Sequence, residues 1–286
     1  MIVDSHQHFW QVGRFDYPWM APELGVLYRD YLPAQLEPLL KQHNVSKTVL
    51  VQASNSLAET NWLLSLAESY SFIAGVVGWV DLTDPEISGK LSMLTANPKF
   101  KGVRHLVESE SADDWLAQPG VLRGLRALAA CGVPYDMLVH PRHLKHVGTV
   151  AESLPELRLV IDHMAKPPIA SGEIQEWARE LKTIAANPNV YCKLSGLVTE
   201  ANHSSWRPAD LRPFIELAFE YFGAGRMMFG SDWPVCLLAA SYDQVLESLQ
   251  LLLAELSEIE RDVVFETNAT DFYRLREAFN VGSVAV

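Results

Sequence analysis

Eight times along this chain a short apolar, β-branched run stops at a polar turn, and between those runs apolar residues return at three- and four-residue intervals. The runs Ile2–His8, Lys47–Ala53, Ile73–Asp81, Phe100–His105, Val133–His140, Arg158–His163, Val190–Ser195 and Met227–Asp232 read as strands. Helical spacing marks Ala34–Gln42, Glu59–Ser69, Glu86–Thr95, Val121–Ala130, Arg142–Ser153, Ile174–Ala186, Asp210–Phe222 and Tyr242–Leu256. Alternation of the two predicts a parallel sheet with helical crossovers. Eight units predict an α/β fold of the TIM type, a (β/α)8 barrel, ahead of an open doubly wound sheet. No GxGxxG follows the first strand, so a dinucleotide site has no anchor. No boundary divides the chain, and 1–286 is read as one domain. The one long connection, Phe9 to about Arg29, is rich in Trp, Tyr and Pro and is expected to wall or cover a pocket. At Ser257-Glu258-Ile259-Glu260 a capping box opens a helical tail.

The 286 residues suit that reading, since such barrels run to about 250 residues, and 49% hydrophobic residues supply the core. Charge narrows the partners. A formal net charge of −12 with no basic run speaks against nucleic acid. The longest apolar run, around 72–80, is under half of the roughly 20 residues a membrane span needs. Cys131, Cys192 and Cys236 lie far apart with no CxxC pairing, which fits a reduced cytoplasm and three small buried apolar residues. The chain opens on Asp4 and histidines in place of a basic segment, so no secretory leader is expected. The expected partner is a small molecule, with self-association left open.

Chemically capable side chains gather at the predicted C-terminal ends of the strands, the face on which barrel enzymes build their active sites. In Asp4-Ser5-His6-Gln7-His8, His6 and His8 share one strand face and can converge on a metal or an anionic substrate atom. Met227-Met228-Phe229 runs into Gly230-Ser231-Asp232 and delivers a carboxylate. Between these ends stand Gln52, Ser54 and Asn55 after strand two, Trp79 and Asp81 after three, and Arg104 and His105 at four. Asp136 and His140 lie on five, Asp162 and His163 at six, and Lys193 and Ser195 at seven. Arg104 is a permanently charged fork that needs an anion or a carbonyl to face, and Asp162 can orient His163. His140, His143 and His146 read as solvent-facing or capping, His43 as a helix-end residue favouring the dipole, and His203 as a loop residue.

The motifs DSHQHFW, GVRH, IDHMAKPPI, CKLSG, GSDWPV and the late Asn268-Ala269 followed by Phe272-Tyr273 resemble the amidohydrolase superfamily over essentially the whole length, in its lactonase-type amidohydrolase 2 branch. HFWQ, DYPWM and RDYLP are most similar to sugar-acid lactonases of the L-fuconolactone and L-rhamnonolactone type. The resemblance implies hydrolysis of a sugar-acid lactone such as L-fucono-1,5-lactone to the aldonic acid. Asp232 would take a proton from water and return it to the leaving oxygen, its carboxyl raised toward neutrality at a water-poor mouth, with His163 as its partner. The carbonyl oxygen would be held by a metal on His6, His8 and Asp232 with help from His163 or His140, or directly by His6, His8 and Arg104. Binuclear members carry a carboxylated lysine or a glutamate where strand four ends; this chain has Arg104 and His105 there. That departure implies at most one divalent ion, Zn²⁺-like, or a metal-free reaction.

Trp10, Trp19, Trp79 and Trp233 offer flat faces to a sugar ring, and Arg104, His105 and Lys193 complete the expected substrate contacts. With Arg104 and Lys193 as the clear cations at the strand ends, a neutral, hydroxyl-rich lactone is favoured over a pyrone dicarboxylate or a muconolactone. A decarboxylase of the same superfamily and a binding protein that has lost catalysis are the remaining readings.

Overall fold

Eight parallel strands pair in strict chain order in the computed structural model, which describes residues 1–276. The rest of the expected 1–286 span lies outside the described residues. The strands are β1 Ile2–Gln7, β2 Val45–Val51, β3 Ile73–Gly78, β4 Phe100–His105, β5 Tyr135–Met137, β6 Leu159–Ile161, β7 Val190–Leu194 and β8 Met227–Phe229. The helices that follow them are α1 Pro33–Gln42, α2 Leu57–Ser69, α3 Ile87–Thr95, α4 Pro119–Ala130, α5 Leu144–Ser153, α6 Ile174–Ala185, α7 Pro208–Phe222 and α8 Tyr242–Leu252. Three of them, α1, α4 and α7, start on proline, whose fixed φ suits a first turn and whose missing N–H is not needed there.

Ladders join β1 through β8, and the ring closes by a shorter seam. Gln7 bridges Trp233 in parallel, the Asp232 amide donates to the His6 carbonyl at 2.8 Å, and the His8 amide donates to the Trp233 carbonyl at 2.7 Å. The seam therefore fixes the backbone of His6 and His8 directly against that of Asp232. Asp4 reinforces it from within, accepting from the His6 amide at 3.1 Å, the Ser231 amide at 2.9 Å and the Tyr242 hydroxyl at 3.2 Å.

Strands three, five, six and eight are each at least three residues shorter than their apolar runs predict. Leu138 and Val139 are buried beyond the end of β5, yet they pack without a ladder partner, and burial alone does not distinguish the two conditions. At the tail the predicted capping box forms: Ser257 Oγ accepts from the Glu260 amide at 3.3 Å, and Glu260 accepts from the Ser257 amide at 2.9 Å. The helical path runs on from α9 Glu258–Asp262 through a π-helical turn to α10 Asn268–Phe272. Asn268 donates to the Ala224 and Met227 carbonyls, each at 2.7 Å, while Ala269, Phe272 and Tyr273 pack with Val3, Val49 and Val160. Cys192 and Cys236 are buried as expected; Cys131 is exposed, because it ends α4 at the surface.

Candidate active site

His6 lies on β1 and His8 just past its end, and the strand's two-residue period brings their Nε2 atoms to 3.1 Å. Asp232, three residues past β8, places Oδ1 at 3.4 Å from His8 Nε2 and 3.7 Å from His6 Nε2; His163 Nε2 lies 3.9 Å from the same oxygen. Strands one, six and eight thus converge on one carboxylate. His8 Nδ1 sits 2.8 Å from the Val51 carbonyl, which can only accept, so that nitrogen carries the proton and Nε2 presents a lone pair when the ring is neutral. Burial lowers the pKa of all three imidazoles, which keeps them neutral near pH 7.

Asp232 departs from expectation. Burial pulls its carboxyl upward, but in acid, where the imidazoles of His163, His8 and His6 take up protons, their charge outweighs that pull, and the group is held below the usual carboxylate range. It is an ionised acceptor throughout the working pH range, and the expected rise toward neutrality does not occur.

His163 and Asp232 stand on unusual backbone. His163, Met164, Ala165 and Lys166 have φ of 54°, 52°, 60° and 53°, and Asp232 has 57°. At on the order of 1 kcal/mol or more each, five such residues strain the fold by an amount comparable with a sizeable part of a domain's net stability. The surroundings hold them there. Met164 and Ala165 are fully buried, Trp177 Nε1 donates to the Met164 carbonyl at 2.8 Å, and Ser195 Oγ lies 2.8 Å from His163 Nδ1. Gly196 makes room: a Cβ there would stand 2.6 Å from His163 Nδ1.

Beneath the mouth lies a charged layer. Lys193 Nζ is 2.6 Å from Asp136 Oδ2, 2.9 Å from Asp162 Oδ1 and 3.1 Å from His6 Nδ1, and Tyr273 donates to Asp136 at 2.6 Å. Arg104 Nη1 reaches Asp162 Oδ2 at 3.2 Å and His6 Nε2 at 3.3 Å, and Nη2 donates to the Gln52 carbonyl. Two cations face two carboxylates, which is how buried charge is tolerated. Burial would raise Asp162, but Lys193, His6 and Arg104 hold it well below its usual range.

Above these residues opens a cavity of about 230 Å³ lined by His8, Arg104, His163 and Asp232 at its floor and by Trp10, Trp19, Leu24 and Leu27 from the long first connection. That connection is the expected wall: Trp10 Nε1 donates to the Arg29 carbonyl at 2.8 Å, and Trp19 Nε1 to the Ala53 carbonyl at 2.7 Å. Of the seven expected substrate contacts, Trp10, Trp19 and Arg104 line the cavity, and Trp79, Trp233, His105 and Lys193 lie elsewhere. Because Arg104 points into the barrel, His105 points out of it, stacked on Trp115 at 4.1 Å with Trp79 donating to its Nδ1 at 3.1 Å. Lys193 points inward but is sealed under the floor. The cavity wall also contains Glu108, Lys166 and Thr199, which strand-end reasoning passed over because they sit in turns beyond the strands. Of the three histidines read as solvent-facing or capping, His143 is buried and its Nδ1 accepts from the His140 amide at 3.0 Å.

Two sets of atoms are suited to a metal ion, His6 with His8 and Asp232, and His6 with Asp162 and His163. In the second, Asp162 already faces Lys193 and Arg104. The first fits a tetrahedral ion: metal–nitrogen bonds of about 2.0–2.1 Å imply ligand separations of about 3.3 Å, and the three atoms are 3.1, 3.4 and 3.7 Å apart.

Comparison with known proteins points the same way. The family model described as Amidohydrolase matches residues 3–275. An L-fucono-1,5-lactonase of Burkholderia ambifaria is 41% identical over 279 residues, covering 96% of this chain and 95% of that protein. A second, from Burkholderia multivorans, is 39% identical and covers 96% of each. A crystal structure of an amidohydrolase from Burkholderia multivorans with bound zinc superposes with a TM-score of 0.91 at 39% identity, covering 96% of this chain and all of that one.

Proposed function

Because the chain belongs to the amidohydrolase family, we propose that it opens a sugar-acid lactone of the L-fucono-1,5-lactone kind to the aldonic acid. The observation that carries this reading is a single ionised carboxylate, Asp232, ringed by neutral imidazoles at the floor of a small cavity. At about 30 Å³ per water the cavity holds roughly eight waters, room for one monosaccharide-sized ring. Two relatives bear the name of this activity.

The chemistry follows from the placement of the protons. The Asp232 carboxylate accepts the proton of a water positioned against it, and the water oxygen attacks the ring carbonyl. His163, with Nδ1 fixed by Ser195 and Nε2 turned toward Asp232, stands where the proton passes to the leaving ring oxygen. Arg104, whose Nε has no partner among the described residues, puts a permanent positive charge at the floor of the cavity, where the carbonyl oxygen becomes an oxyanion. One divalent ion, zinc by analogy with the relative that binds it, would be held by His6, His8 and Asp232 and would supply further polarisation of that oxygen when bound. The cavity's two cations, Arg104 and Lys166, are matched by Asp232 and Glu108, which suits a neutral lactone better than a dicarboxylate. Three free cysteines support a reducing, cytoplasmic setting for the reaction, and no described helix is long and apolar enough to cross a membrane.

The test is a panel of aldonolactones followed with a pH indicator, on protein of measured metal content. Opening of L-fucono-1,5-lactone well above the buffer rate is expected. Opening of none of them, with a pyrone dicarboxylate or a dihydroxybenzoate consumed instead, would replace the proposal. Two metal ions per chain would overturn the single-ion assignment.

A further inference from the structure

The cavity is lopsided. Trp10 and Trp19 pack together in one part of its lining, and in another a lysine and a glutamate that no step of the chemistry above uses stand in mutual contact. Lys166 ends the left-handed turn that begins with His163, and its backbone amide donates to the His163 carbonyl at 2.8 Å. Glu108 sits in the turn after β4, with its amide donating to the Leu138 carbonyl at 3.1 Å and its carbonyl accepting from Arg142 at 3.2 Å. The ammonium of Lys166 and the carboxylate of Glu108 are in direct contact, and His140 Nε2 lies 3.8 Å from the same carboxylate oxygen. Both backbones are tethered, so the pair is a fixed polar fixture on a cavity wall.

From this placement we propose that Glu108 and Lys166 together are the hydroxyl-recognising element of the site, binding adjacent hydroxyls of the lactone ring and selecting polyhydroxylated lactones over plain ones. This rests on the lactonase reading. A hydroxyl both donates and accepts; a carboxylate accepts from one and the neighbouring ammonium donates to the next, so a vicinal diol is satisfied by a pair of opposite charge. Being balanced, the pair attracts neither anions nor cations as such, which distinguishes it from a phosphate or carboxylate clamp. The apolar faces of Trp10 and Trp19 in the same cavity would take the ring's C–H face or an alkyl substituent.

The experiment compares L-fucono-1,5-lactone with δ-valerolactone, which has the ester and no hydroxyl, in the wild type and in Glu108→Gln and Lys166→Met. The quantity read is the ratio of kcat/KM for the two lactones, which is independent of how much of each variant is folded. Hydrogen bonds to charged groups are worth about 10-fold or more in binding, so each variant is expected to lower the ratio at least 10-fold. A ratio that stays within two-fold of wild type, through parallel loss on both lactones or through no loss, overturns the proposal. Calorimetric titration with the matching polyhydroxylated lactam gives a second measurement that needs no turnover. Binding weakened 10-fold in both variants supports the pair even if hydrolysis of the lactone panel fails and the lactonase reading falls; binding unchanged overturns it.

Discussion

The two halves of this active site are held in different ways. His6 and His8 take their positions from a regular strand: one two-residue step, one ladder, one seam to the segment after β8. His163 and Asp232 take theirs from left-handed backbone, in a four-residue turn on one side and a single residue on the other. The first half is supported by hydrogen bonds the sheet makes anyway. The second persists because buried neighbours over-determine it, with Trp177, Ser195 and Gly196 each fixing one aspect of the turn. Both residues assigned to proton transfer are therefore strained, and of the three suited to holding an ion only Asp232 is.

The largest expected effect removes the group both halves point at. Asp232→Asn keeps the shape but not the acceptor, and kcat should fall on the order of 10²-fold or more. A variant retaining more than about a tenth of the wild-type rate would overturn the assignment of Asp232 as base. Next, Gly196→Ala strikes the strained half alone. At φ +63° a side chain is itself unfavourable, and its Cβ would stand 2.6 Å from His163 Nδ1 and 3.1 Å from Asp232 Oδ2. A loss of about 1–3 kcal/mol in stability is expected, with kcat falling more than the change in KM. If thermal melting and turnover both match wild type, the turn is not over-determined in the way described.

A gentler probe of the same half is Trp177→Phe. It keeps an aromatic ring facing Phe214, whose ring lies 5.5 Å away, while deleting the hydrogen bond to the Met164 carbonyl together with part of the buried indole's volume. A stability loss of about 1–2 kcal/mol should accompany a several-fold drop in kcat at near-constant KM, because His163 rather than the cavity wall shifts. A change confined to KM would show that the turn serves binding and not proton transfer.

How much of this was legible in the chain follows the same division. Strand periodicity and apolar runs are local, so the eight strands, the order of the barrel and the convergence of His6 with His8 could be read directly from Ile2–His8 and its counterparts. Left-handed backbone at His163-Met164-Ala165-Lys166 leaves no such trace, since none of these residues is glycine or asparagine and the strain is offset by tertiary contacts. For the same reason Lys166 and Glu108 went unnoticed: both reach the cavity from turns, where no period reports direction. His105 and Lys193 were placed at the right strand ends but assigned to the wrong surroundings, one facing outward by alternation and one sealed below the floor. Asp232's acidity depends on three imidazoles from two other segments, which a single strand end does not disclose.

The smallest expected effect concerns what supports the regular half. His8 donates to Val51 at the end of β2, and the segment just beyond is clamped by Glu59, whose carboxyl accepts from the Ala53 amide at 3.1 Å and the Ser54 amide at 2.9 Å. Glu59 is fully buried, and burial raises its pKa from 4.5 to about 8 against the opposing pull of those amides. A folded-state pKa above the unfolded one means that the folded protein binds the proton more tightly. The resulting stabilisation is complete below pH 4.5 and is lost as pH rises through about 8. Between pH 7 and 9 the loss amounts to roughly 1.4 kcal/mol, which for a chain of this size lowers Tm by about 2–4 °C. Glu59→Gln cannot titrate and keeps one oxygen to accept an amide, so its Tm should decline less over the same interval, by that margin. Parallel Tm profiles for the two proteins would show that Glu59 is ionised in the folded state at neutral pH, and that the amides of Ala53 and Ser54 prevail over burial.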